Sequence, residues 1–290
     1  MSASSPAAPR TRRPAAPPKA RAAAPADEAA EPPRPGDGYV QSFARGLAVI
    51  KAFSAASPEL TLSEVAAAAG LTRAGARRIL LTLQTLGYVA HEGRAFRLTA
   101  RTLDLGYAYL STTPLWNLAE PIMEGLVRTV RESSSASVLD GTDIVYVARV
   151  PTTKIMTINL AIGSRLPAWC TSMGRVLLGG LPDDELDRAL KRSRVQPFTA
   201  RTVTDLKELK RIVAADRAKG WSIVNQELEE GLCSVSAPIF DRGGGVIAAL
   251  NVSGHTSRTT PTQMAREFVP HLKAAATQIS EAIRMRATAR

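Results

Sequence analysis

The sequence has few of the residues that hold metal ions or cross-link secreted domains. It contains two cysteines and three histidines in 290 residues, with no CxxC pair and no two histidines at metal-ligand spacing. Two cysteines are too few for the disulfide framework of a small secreted domain. We therefore expect a reducing, cytoplasmic setting, no metal and no cofactor, with Cys170 and Cys233 as small packing residues.

Long apolar runs are also absent from the sequence. No stretch approaches the roughly 18 apolar residues of a membrane span, and the N-terminus lacks the apolar core of a signal peptide. Nine of the 19 prolines precede Gly38, in a stretch that is otherwise rich in Ala, Ser and Arg. Such a composition cannot bury a core, so we predict that residues 1–38 form a disordered arm. We expect no membrane partner.

The charge of the chain is strongly positive, at +11. Residues 39–101 are the most basic part per residue, with eight Lys or Arg against three Asp or Glu. An excess of this size suits a polyanionic partner, although a membrane surface or solubility would explain it equally well. The length allows about two domains, each able to bury its own core.

Residues 61–89 carry two short amphipathic helices joined by a tight turn. Thr61 and Glu64 have the spacing of a capping box, which begins the first helix. Gly70 can take the left-handed conformation that ends a helix, and Thr72 is placed to cap the next one. This arrangement predicts a helix-turn-helix.

The second of these helices has a basic outer face. Its apolar stripe consists of Ala76, Ile79, Leu80, Leu83 and Leu86. Basic and small residues therefore face outward in its N-terminal half, the end that enters a major groove in this motif. The residues expected nearest the groove are Thr72, Arg73, Gly75, Arg77 and Arg78. The alternative is a helical hairpin whose basic face is merely solvated.

The flanking segments complete a winged helix-turn-helix. Upstream, residues 42–53 form a supporting helix with an apolar side made of Phe43, Leu47, Ile50 and Phe53. Downstream, residues 88–99 read as two strands around a Glu92-Gly93 turn. The basic residues expected to meet mainly phosphates are Arg45, Arg94, Arg97 and Arg101. We assign residues 39–101 to this DNA-binding domain.

After residue 101 the spacing of the apolar residues changes, which predicts a second domain. Residues 102–110 read as a linker helix, followed by a domain at 111–287. Its predicted strands cover 137–139, 144–150, 155–160, 222–227, 234–240 and 246–253, and its predicted helices cover 118–132, 171–178, 183–191, 204–219 and 262–285. The pattern favours an α+β domain with a mostly antiparallel sheet flanked by helices. The run RGGG at 242–245 lies between two strands, so we interpret it as a hairpin turn, not a phosphate loop.

Two segments of this second domain, GSRLPAWCTSMGRVLL and ELEEGLCSVSAPIFD, resemble the IclR family of bacterial transcription regulators. The resemblance covers about 39–287. Signature positions are met by Gly220, Glu227, Ser234, Val235, Ser236, Ile239, Phe240 and Asp241, whereas Val224 stands where the family usually has Asp or Ser. Membership implies a GAF-like effector-binding domain, dimers that pair into tetramers, and control of a catabolic operon. The stretch YVARVPTTKIMTINLAIGSRLPAWCTSMGRVLL resembles the branch that regulates protocatechuate, 4-hydroxybenzoate and β-ketoadipate catabolism.

The resemblance also implies a site for a small aromatic or dicarboxylic acid. Ser172 and Met173 match the backbone amides that hold the ligand carboxylate, and a helix N-terminus near Thr171 suits an anion. The matching polar positions are Ser234, Asn251 and Ser253. Asn251 and Val224 replace residues of relatives that bind small oxoacids, which indicates a different ligand.

Further residues are assigned with an alternative beside each. We interpret Arg149 as a bidentate carboxylate partner, or else as a surface or interface arginine at a strand end. Trp169, with Met156 or Ile158, forms an apolar wall for the ligand, or else belongs simply to the core.

Taken together, these features predict a ligand-responsive regulator that is not an enzyme. Its expected partners are double-stranded operator DNA, the acid effector and a second copy, as a homodimer or tetramer. An IclR-type repressor of an unrelated small acid and a nonspecific DNA-compacting protein are the alternatives. A hydrolase using Cys170 or Cys233 lacks a base, because the three histidines, His91, His255 and His271, fall in the wing, a loop and the last helix.

Overall fold

A computed structural model describes residues 36, 38–112, 115–152 and 160–286. The chain forms two units, residues 1–40 and residues 41–290, and every element below belongs to the second. Nearly all of the predicted arm therefore lies outside the described residues. The same is true of most of the predicted strand at 155–160, with Met156 and Ile158.

The N-terminal half of this unit combines three helices with a small sheet. Its elements are α1 (Gln41–Lys51), β1 (Glu59–Thr61), α2 (Leu62–Ala68), α3 (Arg73–Thr85), β2 (Val89–Glu92) and β3 (Ala95–Leu98). The strands are antiparallel in the order β1-β3-β2. The two predicted wing strands are present, and β1 is an additional strand that its three-residue length concealed.

The predicted helix signals are confirmed. The N–H of Glu64 donates to Thr61 Oγ1 at 3.4 Å, and the N–H of Thr61 donates to Glu64 Oε2 at 2.7 Å. Gly70 has a φ of +64°, and Thr72 Oγ1 accepts from the N–H of Gly75 at 3.1 Å. These contacts satisfy backbone donors that begin each helix, so the turn between α2 and α3 is fixed by local chemistry.

The buried face of α1 differs from the prediction. Val49 and Phe53 enter the core, whereas Phe43 is 68% exposed and Leu47 is 39% exposed. Apolar residues occur on two faces of this helix, and packing against α2 and α3 selects the one that carries Val49. At the end of α3, Leu86 is 50% exposed because it forms the C-cap and no longer lies on the stripe.

The linker begins with a 3₁₀ turn at Ala100–Thr102 and continues as α4 (Leu103–Thr112). Thr99 Oγ1 donates to the carbonyl of Gly87 at 2.6 Å, and Thr102 Oγ1 donates to the carbonyl of Tyr88 at 3.3 Å. Both bonds attach the start of the linker to the segment between α3 and β2.

The C-terminal half is built on a six-stranded sheet in the order β6-β5-β4-β9-β8-β7, with every neighbouring pair antiparallel. Its elements are α5 (Leu115–Val130), β4 (Ser133–Asp140), β5 (Asp143–Val150), β6 (Arg165–Pro167), α6 (Ser172–Gly179), α7 (Asp183–Arg192), α8 (Leu206–Lys219), β7 (Ser222–Asn225), β8 (Leu232–Phe240), β9 (Val246–His255), α9 (Pro261–Glu267) and α10 (Val269–Arg286). The predicted α+β class is confirmed.

Helices cover both faces of this sheet. One face packs with α5, α9 and α10 around Val235, Leu250 and Val252. The opposite face packs with α6, α7 and α8 around Ile144 and Ala249. The predicted last helix is divided at Phe268, which caps α9, and the predicted hairpin between β8 and β9 is confirmed.

No helix among the described residues is both long and apolar enough to cross a membrane.

Candidate functional site

One face of the sheet carries a row of polar side chains across four strands. Arg149 on β5 stands opposite Ser135 on β4, and Ser135 stands opposite Asn251 on β9. Asn251 in turn stands opposite Ser236 on β8. Directly opposite residues of an antiparallel pair lie about 4.5–5.5 Å apart, so this register gathers a continuous hydrogen-bonding surface.

A second row runs beside the first, two residues further along each strand. Ser133 on β4 pairs with Ser253 on β9, Ser253 with Ser234 on β8, and Ser234 with Val224 on β7. The structure thus brings together Ser234, Asn251 and Ser253, as the sequence predicted. Ser133 and Ser135 were missed, because a run of serines favours a turn until its strand partners are known.

A β-bulge places Tyr146 on the same face as Arg149. Ala136 pairs with Ala148 but Ser137 pairs with Tyr146, so Val147 is an extra residue on β5. Residues three apart in a regular strand point to opposite faces. The inserted residue changes the phase, and both side chains line one cavity.

The N-terminus of α6 lies over this polar face. Thr171 Oγ1 caps the helix by accepting from the N–H of Gly174 at 3.2 Å. Ser172 Oγ is 2.8 Å from Ser234 Oγ and 2.7 Å from Ser236 Oγ. The packing is close, since a Cβ on Gly174 would overlap the backbone of the preceding 3₁₀ turn. Helix N–H groups and the positive end of the helix dipole therefore face the sheet, an arrangement that suits an anion.

A cavity lies between this helix end and the sheet. Its polar lining includes Ser133, Ser135, Tyr146, Arg149, Thr171, Ser172, Glu227, Ser234, Asn251 and Ser253. Its apolar lining includes Leu160, Leu166, Val224, Leu228 and Leu232. The part of the cavity that the centre of a water-sized sphere can reach has a volume of about 30 Å³. This is enough for one or two waters. A molecule of the size of benzoate enters only if the wall moves.

Arg149 supplies the positive side chain of this lining. It is half-buried, and it has no hydrogen bond or ion pair among the residues that the structure describes. A guanidinium has five donors that demand partners when water is removed. It is therefore available to a ligand.

Asn251 positions its neighbours. Its Oδ1 accepts from the N–H of Ser135 at 2.8 Å, and its Nδ2 donates to Ser253 Oγ at 2.7 Å. Because Ser253 Oγ accepts this bond, its own hydroxyl hydrogen is directed elsewhere. The amide thus joins two strands and orients a donor at the cavity wall.

Burial keeps the phenol of Tyr146 and the thiols of Cys170 and Cys233 neutral near the cavity. It raises the pKa of Tyr146 to about 12, although Arg149 acts in the opposite direction. It also raises the pKa of Cys170 to about 12 and that of Cys233 to about 11. Tyr146 is therefore an uncharged phenol donor near neutral pH, and neither cysteine is an activated nucleophile.

Trp169 lies behind the cavity wall and not in it. Its side chain is 1% exposed, and its ring stacks on Phe198 with centroids 5.9 Å apart. The wall at this point consists of Cys170 and Thr171. The 3₁₀ turn at Ala168–Cys170 turns the ring into the core, which agrees with the second of its two interpretations; contact of Trp169 with a ligand stays a prediction.

The predicted DNA-facing residues occupy a separate surface. Arg73, Arg77 and Arg78 are exposed on α3, and Thr72 and Gly75 lie at its beginning. Exposed arginines elsewhere on this surface are Arg45 on α1 and Arg94 at the wing turn.

Two wing-associated arginines are already engaged. Arg97 lies 3.8 Å from Glu92 in an exposed pair, which weakens its positive field. The guanidinium of Arg101 lies over the ring of Tyr88, 5.6 Å from the centroid, and its Nε is 4.0 Å from Asp104. Arg101 therefore also supports the base of the linker.

The three histidines lie on three different elements. His91 stacks on Phe96 in the wing, His271 lies on α10, and His255 ends β9 instead of lying in a loop as predicted. Among the described residues, no three His, Cys, Asp or Glu side chains converge as a metal site.

Comparison with known proteins identifies both halves of the chain. The model of the IclR helix-turn-helix domain matches residues 42–93, and that of the bacterial transcriptional regulator IclR C-terminal domain matches residues 107–281. The chain is 42% identical to the Pca regulon regulatory protein of Pseudomonas putida, over 82% of each chain. It is 31% identical to the p-hydroxybenzoate hydroxylase transcriptional activator of Acinetobacter baylyi, over 83% of this chain and 91% of the relative.

Solved structures agree with this relationship. A transcriptional regulator from Rhodococcus sp. RHA1 has a TM-score of 0.78 and 51% identity, over 87% of this chain and all of that one. An IclR homologue from Microbacterium hydrocarbonoxydans, crystallised with 4-hydroxybenzoate, shares the fold with a TM-score of 0.76 at 23% identity, over 84% and 99% of the two chains. These relatives are regulators and not enzymes, and the chain belongs to the IclR family of bacterial transcriptional regulators.

Proposed function

We propose that this protein regulates an aromatic-acid catabolic operon and that a small carboxylic acid, bound beneath α6, controls its operator binding. One observation carries the proposal: the N-terminus of α6, the guanidinium side chain of Arg149 and two rows of hydroxyl groups converge on one cavity. The names of the Pseudomonas and Acinetobacter relatives support the pathway.

The carboxylate of the effector binds at the start of α6. The backbone N–H groups of Ser172 and Met173 donate to it there, while Ser234 and Ser253 supply hydroxyl donors. Arg149 binds the carboxylate or a second oxygen of the same molecule in a charge-assisted bond. Asn251 acts by holding Ser253 in place.

The body of the effector lies against the leucines of the wall. Leu160 precedes β6 and Leu166 lies on it, while Leu228 lies between β7 and β8 and Leu232 begins β8. Because the cavity has room for only one or two waters, binding of the effector displaces part of this wall. A ligand changes DNA binding only if it favours one placement of the DNA readers over another. The linker helix α4 is the covalent route for that change.

The output is operator binding by α3 and the wing. Arg73, Arg77 and Arg78 read the major groove, with Thr72 and Gly75 allowing close approach of the backbone. The flanking residues Arg45, Arg94, Arg97 and Arg101 meet phosphates. We retain 39–101, 102–110 and 111–287 as the three functional segments.

The protein acts as a homodimer that can pair into tetramers. Exposed apolar residues on α1 and α4 supply a contact surface for a second copy: Phe43, Leu47, Leu103, Leu105 and Tyr107. A dimer places two recognition helices on half-sites one helical turn apart or a multiple of it. A monomer in sedimentation equilibrium at micromolar concentration would refute this arrangement.

Two measurements test the function. Thermal unfolding with protocatechuate, 4-hydroxybenzoate and β-ketoadipate should show a rise in Tm with at least one acid, since a ligand of the native state stabilises it. Stabilisation by small oxoacids alone would indicate an unrelated effector. Equal affinity for upstream and random DNA at physiological salt would instead indicate nonspecific DNA binding.

A further inference from the structure

A buried ion pair lies beside the effector cavity. Arg175 Nη2 is 2.7 Å from Glu227 Oε2, with 2% and 10% of the two side chains exposed. Every other ion pair among the described residues exposes at least a third of one side chain. Burying two charges costs several kcal/mol per ion, and apolar replacements are often as stable. Stability alone therefore does not explain this pair.

Of the two partners, Glu227 belongs to the residues that line the cavity, and Arg175, on α6, does not. Arg175 is held there by a second bond, in which its Nε donates to the carbonyl of Trp169 at 3.1 Å. A pocket whose helix end and Arg149 attract an anion thus also contains a fixed carboxylate that repels one.

Glu227 is held firmly in this position. Its Oε2 accepts from the N–H of Val203 at 3.3 Å, and its carbonyl accepts from Thr202 Oγ1 at 2.6 Å. The preceding residue, Gln226, has a φ of +60°, and its side chain accepts from the N–H of Gly231 at 2.9 Å. Because backbone and side chain are both anchored, the carboxylate does not turn away when a ligand enters.

We propose that Glu227 is a specificity-determining residue that discriminates between effectors by charge, with Arg175 as its buried counter-charge. The inference rests on the proposed function, in which the effector is a carboxylic acid. Glu227 lowers the affinity for anions below the level that the helix end and Arg149 would give by themselves. Arg175 attracts the anion and so offsets part of its repulsion by Glu227. The affinity for an anion therefore depends on the difference between these two interactions.

Electrostatics fixes the direction and size of the effect. At the effective dielectric constant of about 20 that suits protein sites, two unit charges separated by up to about 10 Å interact strongly enough to change affinity about tenfold or more. Neutralising Glu227 should strengthen acid binding, and neutralising Arg175 should weaken it. A neutral ligand of the same shape should be insensitive to both changes.

The experiment compares 4-hydroxybenzoate with its neutral isostere 4-hydroxybenzamide, by calorimetry on the full chain at one pH and salt concentration. Glu227→Gln keeps an acceptor oxygen for Arg175 and for the N–H of Val203. It should bind the acid about tenfold more tightly than the wild type, with the affinity for the amide unchanged within about twofold. Arg175→Met should weaken acid binding, and the double variant should return toward the wild type.

A purely structural role makes a different prediction. If Glu227 only maintains the shape of the pocket, Glu227→Gln will weaken both ligands alike, and that result would overturn the inference. Equal acid affinity in the wild type and Glu227→Gln would refute the charge role while leaving the effector class intact. If the acid binds neither protein, 4-hydroxybenzoate is not the effector and the inference fails for it.

Discussion

Replacing Arg149 by methionine tests the effector site at a positively charged side chain of its lining. Methionine keeps most of the length of the side chain and its packing while removing the guanidinium. Because Arg149 has no partner among the described residues, the change breaks no existing bond and should alter Tm of the unliganded protein little. The affinity for the acid should fall instead.

The expected loss follows from the environment of the guanidinium. A hydrogen bond to a charged group is worth about 1.5–3 kcal/mol, and each 1.4 kcal/mol is a factor of about ten. Arg149 is half-buried, so solvent screens part of this energy and the lower half of the range applies. We expect the Kd for the acid to rise about ten- to thirtyfold.

Calorimetry with the stabilising acid measures this loss, and a gel-shift titration checks operator binding in the absence of acid. Arg165→Met is the matched control, because Arg165 is an exposed arginine on the adjacent strand that pairs with Asp140 and Asp143 outside the cavity lining. The control should bind the acid as the wild type does. Unchanged acid affinity in Arg149→Met would remove Arg149 from the site and assign it a surface role.

Three further changes test other parts of the structure. Gly174→Ala should destabilise the protein by about 3 kcal/mol in denaturant unfolding, because the new Cβ would overlap the backbone of Ala168. The control is Gly125→Ala on α5, where the new Cβ would lie 3.8 Å from the guanidinium of Arg128, an ordinary contact; it should be neutral or stabilising. Equal effects of the two substitutions would refute the packing argument. Arg77→Ala should reduce the preference for operator over random DNA by about 1–3 kcal/mol, and an unchanged ratio excludes base readout. Since burial raises the pKa of Cys170 to about 12 in the folded protein, the unfolded thiol loses its proton first as pH rises above about 9. The free energy of unfolding should therefore fall as the pH rises from about 9 to about 12, and it should fall less in Cys170→Ala than in the wild type. Identical pH profiles of the two proteins would contradict this role of Cys170.

The DNA-binding half could be predicted well because its signals are local. Thr61, Glu64, Gly70 and Thr72 fix two helix ends through bonds to residues three positions away or through backbone conformation. Such contacts depend little on the remainder of the fold. The predicted apolar side of α1 was right for Ile50 and Phe53 and wrong for Phe43 and Leu47, because packing across the domain decides which apolar residues are buried.

The effector site was predictable only where the family resemblance reached it. Ser133 and Tyr146 become pocket residues through strand pairing and through a bulge, and neither is visible in the alternation of the sequence. Arg175 and Glu227 are 52 positions apart, so their pairing depends on the approach of α6 to the segment after β7. Long-range partners of this kind follow from the topology and not from spacing.

The bonds from Thr99 and Thr102 to the carbonyls of Gly87 and Tyr88 have a mechanical consequence. They tie the first turn of the linker to the segment that directly follows the recognition helix. A rotation of the linker would then turn the reader as a whole without disturbing the side chains that meet the bases. Under the proposed function, the effector would change the preferred distance and helical phase between half-sites, while the sequence read within each half-site would stay the same.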